Sequence, residues 1–218
     1  MTGLGAFWES TVGQKISVAV SGLLLWAWVV LHLLGNLTVF SGAAATDGYA
    51  AALHRAPGWL WAARVALASV AAIHVAGIAR LARRARTARP RHATAGRADV
   101  ATLASRGMRI GGALLLAFVG YHLLHLTFGV GHRGFVPGHV YDNVVTGLRS
   151  PWIAGVYVGA AGLVGLHLFH GLWAAVRSLG VRPATAARRH RPAVALIATA
   201  TAAGFAAVPL AVLAGWLR

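Results

Sequence analysis

Histidine is the residue type in this sequence best suited to metal chemistry. Six histidines lie inside long apolar stretches, where an ionisable side chain is costly and is therefore a candidate for function. Four of them form two doublets, in YHLLHLT (121–127) and LHLFHGLW (166–173), each with two imidazoles three residues apart, and His32 and His74 stand alone. Neutral imidazole is a common ligand of transition metals. These stretches contain no cysteine, aspartate or glutamate, so a zinc site or a proton pump is less favoured.

The composition indicates a protein of the lipid bilayer. Hydrophobic residues make up 58% of the 218 positions and charged residues only 11%, against about 25% in soluble domains. The net charge of +16 could suggest that the protein binds nucleic acid. However, the basic residues cluster between apolar segments, as the positive-inside rule expects, so no nucleic-acid partner is predicted. Cysteine is absent, so this chain offers no thiolate to zinc or to an iron–sulfur cluster.

Five apolar segments are long enough to cross a bilayer, which takes about 20 residues. They run over roughly 14–40, 58–81, 107–129, 151–178 and 192–217. A backbone in lipid must satisfy its own hydrogen bonds, and no segment alternates as a barrel strand does, so the spans are predicted to be helices. The first segment is too long for the apolar part of a signal peptide and is taken as a true span. We therefore predict a single all-α integral membrane domain, 1–218, with five transmembrane helices.

The distribution of basic residues predicts the direction of these spans. Nine arginines lie in the 80–109 connection and five in the 177–191 connection, and Lys15 precedes the first span. Together these are fifteen of the twenty basic residues, and with five spans they all lie on the same side of the membrane. The N-terminus and both arginine-rich connections are therefore predicted to be cytoplasmic, and the C-terminus external.

The predicted spans place the histidines at two depths. His32 and His122 fall in the outer half of outward-running spans, whereas His74, His167 and His170 fall in the inner half of inward-running spans. At 1.5 Å of rise per residue, each set lies roughly 10 Å from its membrane face. Two imidazoles at one height on facing helices are what bis-histidine ligation of haem requires. We therefore predict that four of the five helices form a haem-binding bundle. At the inner site, either His167 or His170 could be the iron ligand that pairs with His74.

Several sequence blocks, in their order along the chain, resemble a known family. The first block, GQKISVAVSGLLLWAWVVLHLLGNLTVF (13–40), carries Gln14 and Ser21 within a G-x-K…S-G…H-L-x-G-N-L pattern. The others are DGYAAALHRAPGWLWAARVAL (47–67), SRGMRIGG (105–112), YHLLHLT, VYDNVVTGL (140–148) and LHLFHGLW. Over essentially the whole chain they are similar to the cytochrome b membrane-anchor subunit of succinate dehydrogenase and fumarate reductase, five-helix dihaem type. That family typically has lysine where Gln14 stands and threonine where Ser21 stands.

This resemblance implies a subunit, without the dicarboxylate site, of succinate:quinone oxidoreductase (respiratory complex II, in the tricarboxylic acid cycle) or of quinol:fumarate reductase. Such a subunit anchors a flavoprotein and an iron–sulfur subunit on the cytoplasmic face of the bacterial inner or plasma membrane. It carries two b haems and a quinone, here expected to be menaquinone, and the complex can form a higher oligomer. The resemblance assigns His32 and His122 to the iron of the outer haem, and His74 and His167 to the iron of the inner haem.

Further residues are predicted to support the haems. His125 and His170 are the second histidines of the doublets, and each lies on nearly the same side of its helix as the first. Arg106, Arg109 and Arg177 lie at the cytoplasmic boundary, where a guanidinium can pair with a haem propionate. These five residues are therefore candidates for propionate binding or for support of the iron ligands.

A quinone site is predicted at the outer side, where an apolar slot needs a few polar groups. Its candidate residues are Asp47, Tyr49, His54 and His125. An inner site is the alternative, with Gln14, Lys15 and Ser17 at the start of the first span and Arg109 and His170 nearby. Two other functions stay open at this stage: a stand-alone dihaem cytochrome that moves electrons across the membrane, and a haem-free structural anchor.

Overall fold

The computed structural model describes residues 3–87, 98–180 and 184–218, with the side chains of Leu4, of 98–106 and of 184–189 left out of that description. Within these ranges the chain is helical and contains no strand. The helices are α1 (Gly3–Glu9), α2 (Thr11–Leu37), α3 (Ala43–His54), α4 (Pro57–Thr87), α5 (Ala98–His122), α6 (Val140–Leu148), α7 (Pro151–Ser178) and α8 (Ala184–Leu213).

Five of the helical segments are long and apolar enough to cross a membrane, which confirms the predicted all-α fold with five spans. They are Thr11–Ser41, Pro57–Thr87, Gly107–Thr127, Pro151–Ser178 and His190–Leu213. Helix α4 has no buried residue although it is rich in large apolar side chains. Such a surface is stable only against lipid or another apolar surface, so the chain is a multi-pass membrane protein.

Two predicted span ends differ from the structure. The last span, predicted to reach residue 217, ends at Leu213 because Gly215 adopts φ 74° and its amide turns back to the Val212 carbonyl at 3.0 Å. Glycine tolerates this left-handed conformation, which is a common helix stop. The third span was predicted to continue to residue 129. Regular α-helix instead ends at His122 and is followed by a wider π-helical turn, Leu123–Thr127.

The two connections predicted to lie at the outer side, one between the first and second spans and one between the third and fourth, contain the short helices α3 and α6. The Asp47 carboxylate accepts a hydrogen bond from the Tyr141 amide at 2.9 Å and so joins α3 to the first turn of α6. A buried apolar cluster closes the same end of the bundle, formed by Val39, Val145, Leu148, Val208, Ala211, Val212 and Leu217. We name this end the α3–α6 end and the opposite one, which carries α1, the α1 end.

Helix α2 is central and packs on α4, α7 and α8, while α7 packs on α2, α5 and α8. The α7–α8 contact is close at Gly165, where an added Cβ would lie 2.9 Å from the Ala202 Cβ. By contrast, among the described residues α2 and α5 are not closely packed, nor are α4 and α7. The two helices of each pair therefore meet through their side chains rather than through close backbone contact.

Candidate functional site

The structure brings the four predicted iron ligands together as two pairs. The ring centroids of His32 on α2 and His122 on α5 are 5.8 Å apart, with the ring planes at 80°. Those of His74 on α4 and His167 on α7 are 6.4 Å apart, at 67°. Two metal–nitrogen bonds of about 2 Å each, plus the distance from each nitrogen to its ring centre, place such centroids about 6 Å apart. Both pairs therefore have the spacing of two imidazoles on one metal.

Each pair joins two helices that do not pack closely on each other. A flat macrocycle needs this arrangement, since it must fit between the imidazoles without displacing a helix contact. In the described part of the chain no group of three or more His, Cys, Asp or Glu residues could hold a metal ion. Two protein ligands per site fit a haem, whose ring supplies the other four nitrogens, better than they fit a bare metal ion.

His74 has a fixed ring orientation. Its Nδ1 lies 3.2 Å from the Val18 carbonyl and 3.2 Å from Ser21 Oγ. Because a carbonyl only accepts, Nδ1 carries the proton, and Nε2 keeps its lone pair in the neutral ring. A Cβ at Gly22 would come 3.1 Å from His74 Cε1, so only glycine leaves the ring its present room.

His167 lines a small cavity between α5 and α7. The cavity has a volume of about 150 Å³ and is lined by Gly107, Met108, Gly111, Leu163, Leu166, His167 and His170. Nothing else lies within 4 Å of the position a Cβ would take at Gly107 or at Gly111. His167 Nδ1 is buried and has no hydrogen-bond partner among the described residues. An apolar groove beside an unpaired imidazole fits the edge of a porphyrin.

Aromatic rings surround the His32–His122 pair. Trp28 stacks on His32 at 4.9 Å and 11°, and Phe118 stacks on His122 at 5.9 Å and 30°. The Asn36 amide donates to the His32 carbonyl at 2.8 Å and faces His32 Nε2 at 3.2 Å. His122 Nδ1 is buried, and no described residue offers it a hydrogen bond. A metal could bind His32 Nε2 only if the contact between the Asn36 amide and Nε2 were lost. The hydrogen bond from the same amide to the His32 carbonyl could remain.

His125 lies in a separate ring cluster rather than in the histidine pair. It is 2% exposed, its Nδ1 lies 2.9 Å from the Tyr157 hydroxyl, and its ring stacks on Tyr121 at 5.4 Å. His132 lies on its other side, with ring centroids 5.0 Å apart, and His132 Nε2 donates to the Asn143 carbonyl at 2.7 Å. His125 Nε2 is buried and has no hydrogen-bond partner within the part of the chain that the structure describes.

The sequence prediction did not identify His132 and Tyr157. Tyr157 is the one tyrosine within the predicted fourth span, and a polar group in that position could have been noticed. His132 follows the third span in GVGHRG, where the sequence carries no signal that it folds back onto His125. The π-helical turn that includes His125 moves this side chain out of the regular helical phase with His122.

The other predicted quinone residues of the outer side make local contacts. Asp47 is bonded to the Tyr141 amide, and the exposed His54 donates to the Ala50 carbonyl at 2.8 Å. Tyr49 packs on Gly35, where a Cβ would lie 2.8 Å from Tyr49 Cε1. No hydrogen bond or aromatic contact in the described residues joins these three side chains to His125. The outer quinone site therefore stays a prediction.

Apart from His125, the residues predicted to bind a propionate or support the iron ligands lie at the α1 end. His170 donates from Nδ1 to the Leu166 carbonyl at 2.9 Å and lines the small cavity with His167. Arg109 is half-buried on α5, and Arg177 is exposed in the last turn of α7. The side chain of Arg106 lies outside the described residues. A role of these residues in binding a propionate stays a prediction.

A larger cleft, which we name the α1 cleft, opens between α1, α2 and α4. Its volume is about 310 Å³, and it is lined by Trp8, Gln14, Ser17, Ala72, Ile73, Ala76, Gly77 and Arg80. Gln14 is 4% exposed, donates from Nε2 to the Trp8 carbonyl at 3.3 Å, and leaves Oε1 buried and unpaired. The cleft is thus mostly apolar with a few polar groups, and Ile73 precedes the candidate ligand His74.

A comparison with known families decides the class of protein. The family model described as the succinate dehydrogenase/fumarate reductase transmembrane subunit matches residues 83–207, more than half of the chain. The chain belongs to this family. The predicted membership of the succinate dehydrogenase and fumarate reductase membrane subunits is thereby confirmed. No curated protein and no solved structure matches the chain.

Membership of the succinate dehydrogenase/fumarate reductase transmembrane subunits places the chain in the bilayer, in partnership with soluble subunits of that enzyme. The matched segment contains His122 and His167, the members of each pair on α5 and α7. His32 and His74 precede it, so their link to the site comes from the sequence blocks of the first spans and from the distances in the structure.

Proposed function

We propose that this subunit holds two b haems, one between His32 and His122 and one between His74 and His167, and thereby connects a partner iron–sulfur subunit with quinone. The observation that carries the proposal is the presence of two histidine pairs, at 5.8 and 6.4 Å, on helices whose described residues are not in close backbone contact. The haems, when bound, supply one-electron transfer at potentials set by their surroundings. The flavoprotein of the same complex carries the dicarboxylate site.

The chain contributes ligation and a dry environment to this function. Helices hold the imidazoles at fixed heights, and the rings of Trp28, Phe118 and Phe205 cover the His32–His122 pair. A low local dielectric of this kind is one of the means by which a protein sets the potential of a buried cofactor.

We propose that the α1 end faces the cytoplasm of a bacterial cell. Basic residues are concentrated at this end. The Arg84 guanidinium on α4 donates a hydrogen bond to the Glu9 carbonyl of α1 at 2.6 Å. The opposite end carries three strongly exposed tryptophans, Trp59, Trp152 and Trp216. Tryptophan is enriched where a protein meets the membrane–water interface, so these side chains fit that boundary. The His74–His167 pair then lies nearer to the soluble subunits.

The α1 cleft is the quinone site that the geometry favours. Ligand pockets typically enclose about 300–1,000 Å³ and are apolar with a few polar groups, as this cleft is. The Arg80 guanidinium can donate a hydrogen bond to a quinone carbonyl. Gln14 Oε1 is an acceptor without a hydrogen-bond partner among the described residues, and a quinol hydroxyl could donate to it. An outer site beside His125 is the second candidate, supported by the unpaired Nε2 of that residue. Menaquinone is the quinone we expect.

The purified complex tests this proposal. A reduced-minus-oxidised spectrum with a pyridine haemochrome assay should give two b haems per chain, and protein identification should find a flavoprotein and an iron–sulfur subunit. If the spectrum shows no haem, the chain is a structural anchor instead. If haem is present but no soluble subunit copurifies, the chain is a stand-alone cytochrome instead.

A pair of variants separates the two quinone sites. Gln14→Leu should raise KM for quinone if the α1 cleft is used, with the spectrum of both haems unchanged. Asp47→Asn at the α3–α6 end is the control and should leave KM unchanged. An effect of Asp47→Asn alone, together with a rate that responds to an uncoupler in proteoliposomes, would move the working site to the outer side.

A further inference from the structure

We propose that Ser21 and the Val18 carbonyl are positioning partners of His74 that lower the redox potential of the haem held between His74 and His167. The inference rests on the proposed ligation by that pair. It concerns two groups of α2 that do not touch the iron themselves. They would act on the electron affinity of the haem through the ring of His74.

The contacts around Ser21 direct one hydroxyl lone pair to His74. Ser21 is 4% exposed, and its Oγ lies 2.7 Å from the Ser17 carbonyl and 3.2 Å from the Val18 carbonyl. Because both carbonyls accept, the hydroxyl proton is used within α2. The oxygen then accepts from the His74 N–H at 3.2 Å, and the Val18 carbonyl accepts from the same N–H at 3.2 Å.

His74 differs in this respect from the other candidate ligands. His122 Nδ1 and His167 Nδ1 are both buried and have no partner in the described part of the chain. The contact of the His32 ring with the Asn36 amide is at Nε2, the nitrogen available to a metal, and no hydrogen bond of the described residues holds His32 Nδ1. His74 is thus the candidate ligand whose ring N–H is held by oxygen acceptors in the structure.

An acceptor on the far N–H of a metal-bound imidazole fixes its tautomer and makes the ring a stronger donor to the metal. A stronger donor stabilises ferric over ferrous iron, so the potential falls. The haem at the α1 end should therefore have a lower potential with these acceptors present than without them. Gly22, next to Ser21, supports the same arrangement because it leaves room for the His74 ring.

The test is a redox titration of the purified complex with Ser21→Ala, Ser21→Thr and the control Thr201→Val. Thr201 is also buried and its hydroxyl is bonded to the Ile197 carbonyl four residues back, but it lies on α8. We expect Ser21→Ala to raise the potential of one haem and leave the other unchanged. Outer-shell changes typically alter metal binding by about 10- to 100-fold. A tenfold loss of preference for the ferric form corresponds to about 59 mV.

Ser21→Thr keeps the hydroxyl and should restore the potential, and Thr201→Val should leave both potentials as they are. Loss of one haem from Ser21→Ala but not from Ser21→Thr would also support the proposal. Equal effects of Ala and Thr would overturn it, because packing rather than the hydroxyl would then be responsible. An unshifted potential in Ser21→Ala with both haems present would overturn this inference alone. A wild-type complex without the haem at the α1 end would overturn the proposed function as well.

Discussion

Replacement of Gly147 by alanine should destabilise the α3–α6 end. Gly147 lies in α6 against the cluster of His125 and His132. The added Cβ would come 2.7 Å from His132 Nε2, 2.9 Å from His132 Cδ2 and 3.1 Å from His125 Cε1. Carbon atoms in favourable contact are about 3.5–4.0 Å apart, so the His132 ring must move by roughly half an ångström or more.

Three terms set the magnitude of this effect. Overpacking of a buried site costs about 1–3 kcal/mol. The same displacement removes the 2.7 Å bond from His132 Nε2 to the Asn143 carbonyl, and a buried group left unpaired costs about 1–3 kcal/mol. Alanine in a helix gains at most about 1 kcal/mol over glycine, and less near a helix end. Together these terms give an expected net loss of about 1–5 kcal/mol in the free energy of unfolding, with a central value of about 3 kcal/mol.

The matched control is Gly155→Ala in α7, where no other atom lies within 4 Å of the added Cβ. This variant should be neutral or stabilised by up to about 1 kcal/mol, since only the helix propensity changes. Thermal unfolding in one detergent, followed by circular dichroism, should thus give shifts of opposite sign. Equal midpoints for the two variants would refute the reasoning, because the crowding at His132 would then carry no cost.

Three further predictions concern the haems, the topology and the core. His74→Ala should remove the haem at the α1 end and loosen the soluble subunits, and His32→Ala should remove the other haem; two haems retained in both variants would contradict the pairing. Reporter fusions at Arg91 should read cytoplasmic and fusions at Pro137 external, and the reverse result would invert the proposed orientation. Leu148→Ala should lower the free energy of unfolding by about 2–5 kcal/mol, because this fully buried side chain fills the apolar cluster; denaturant unfolding measures the loss.

The sequence alone determined the membrane class, the number of spans and the histidines that meet. Span number follows from apolar length, which is a local property, and five spans are what the structure contains. The constant rise of a helix converts sequence position into depth, which paired His32 with His122 and placed His74 level with both His167 and His170. The choice of His167 came from the family resemblance. Depth was less informative for His167 and His170, which are only three residues apart.

Tertiary structure decided what the remaining polar side chains contact. The sequence placed His125 beside His122, but the π-helical turn and the fold of 129–139 bring His125 against Tyr157 and His132 instead. Asp47 was predicted at a quinone site, and in the structure it is bonded to the Tyr141 amide, 94 residues away. Ser21 and His74 are 53 residues apart and meet only because α2 packs on α4. Contacts between distant segments depend on helix rotation and packing, which helical periodicity within one segment does not specify.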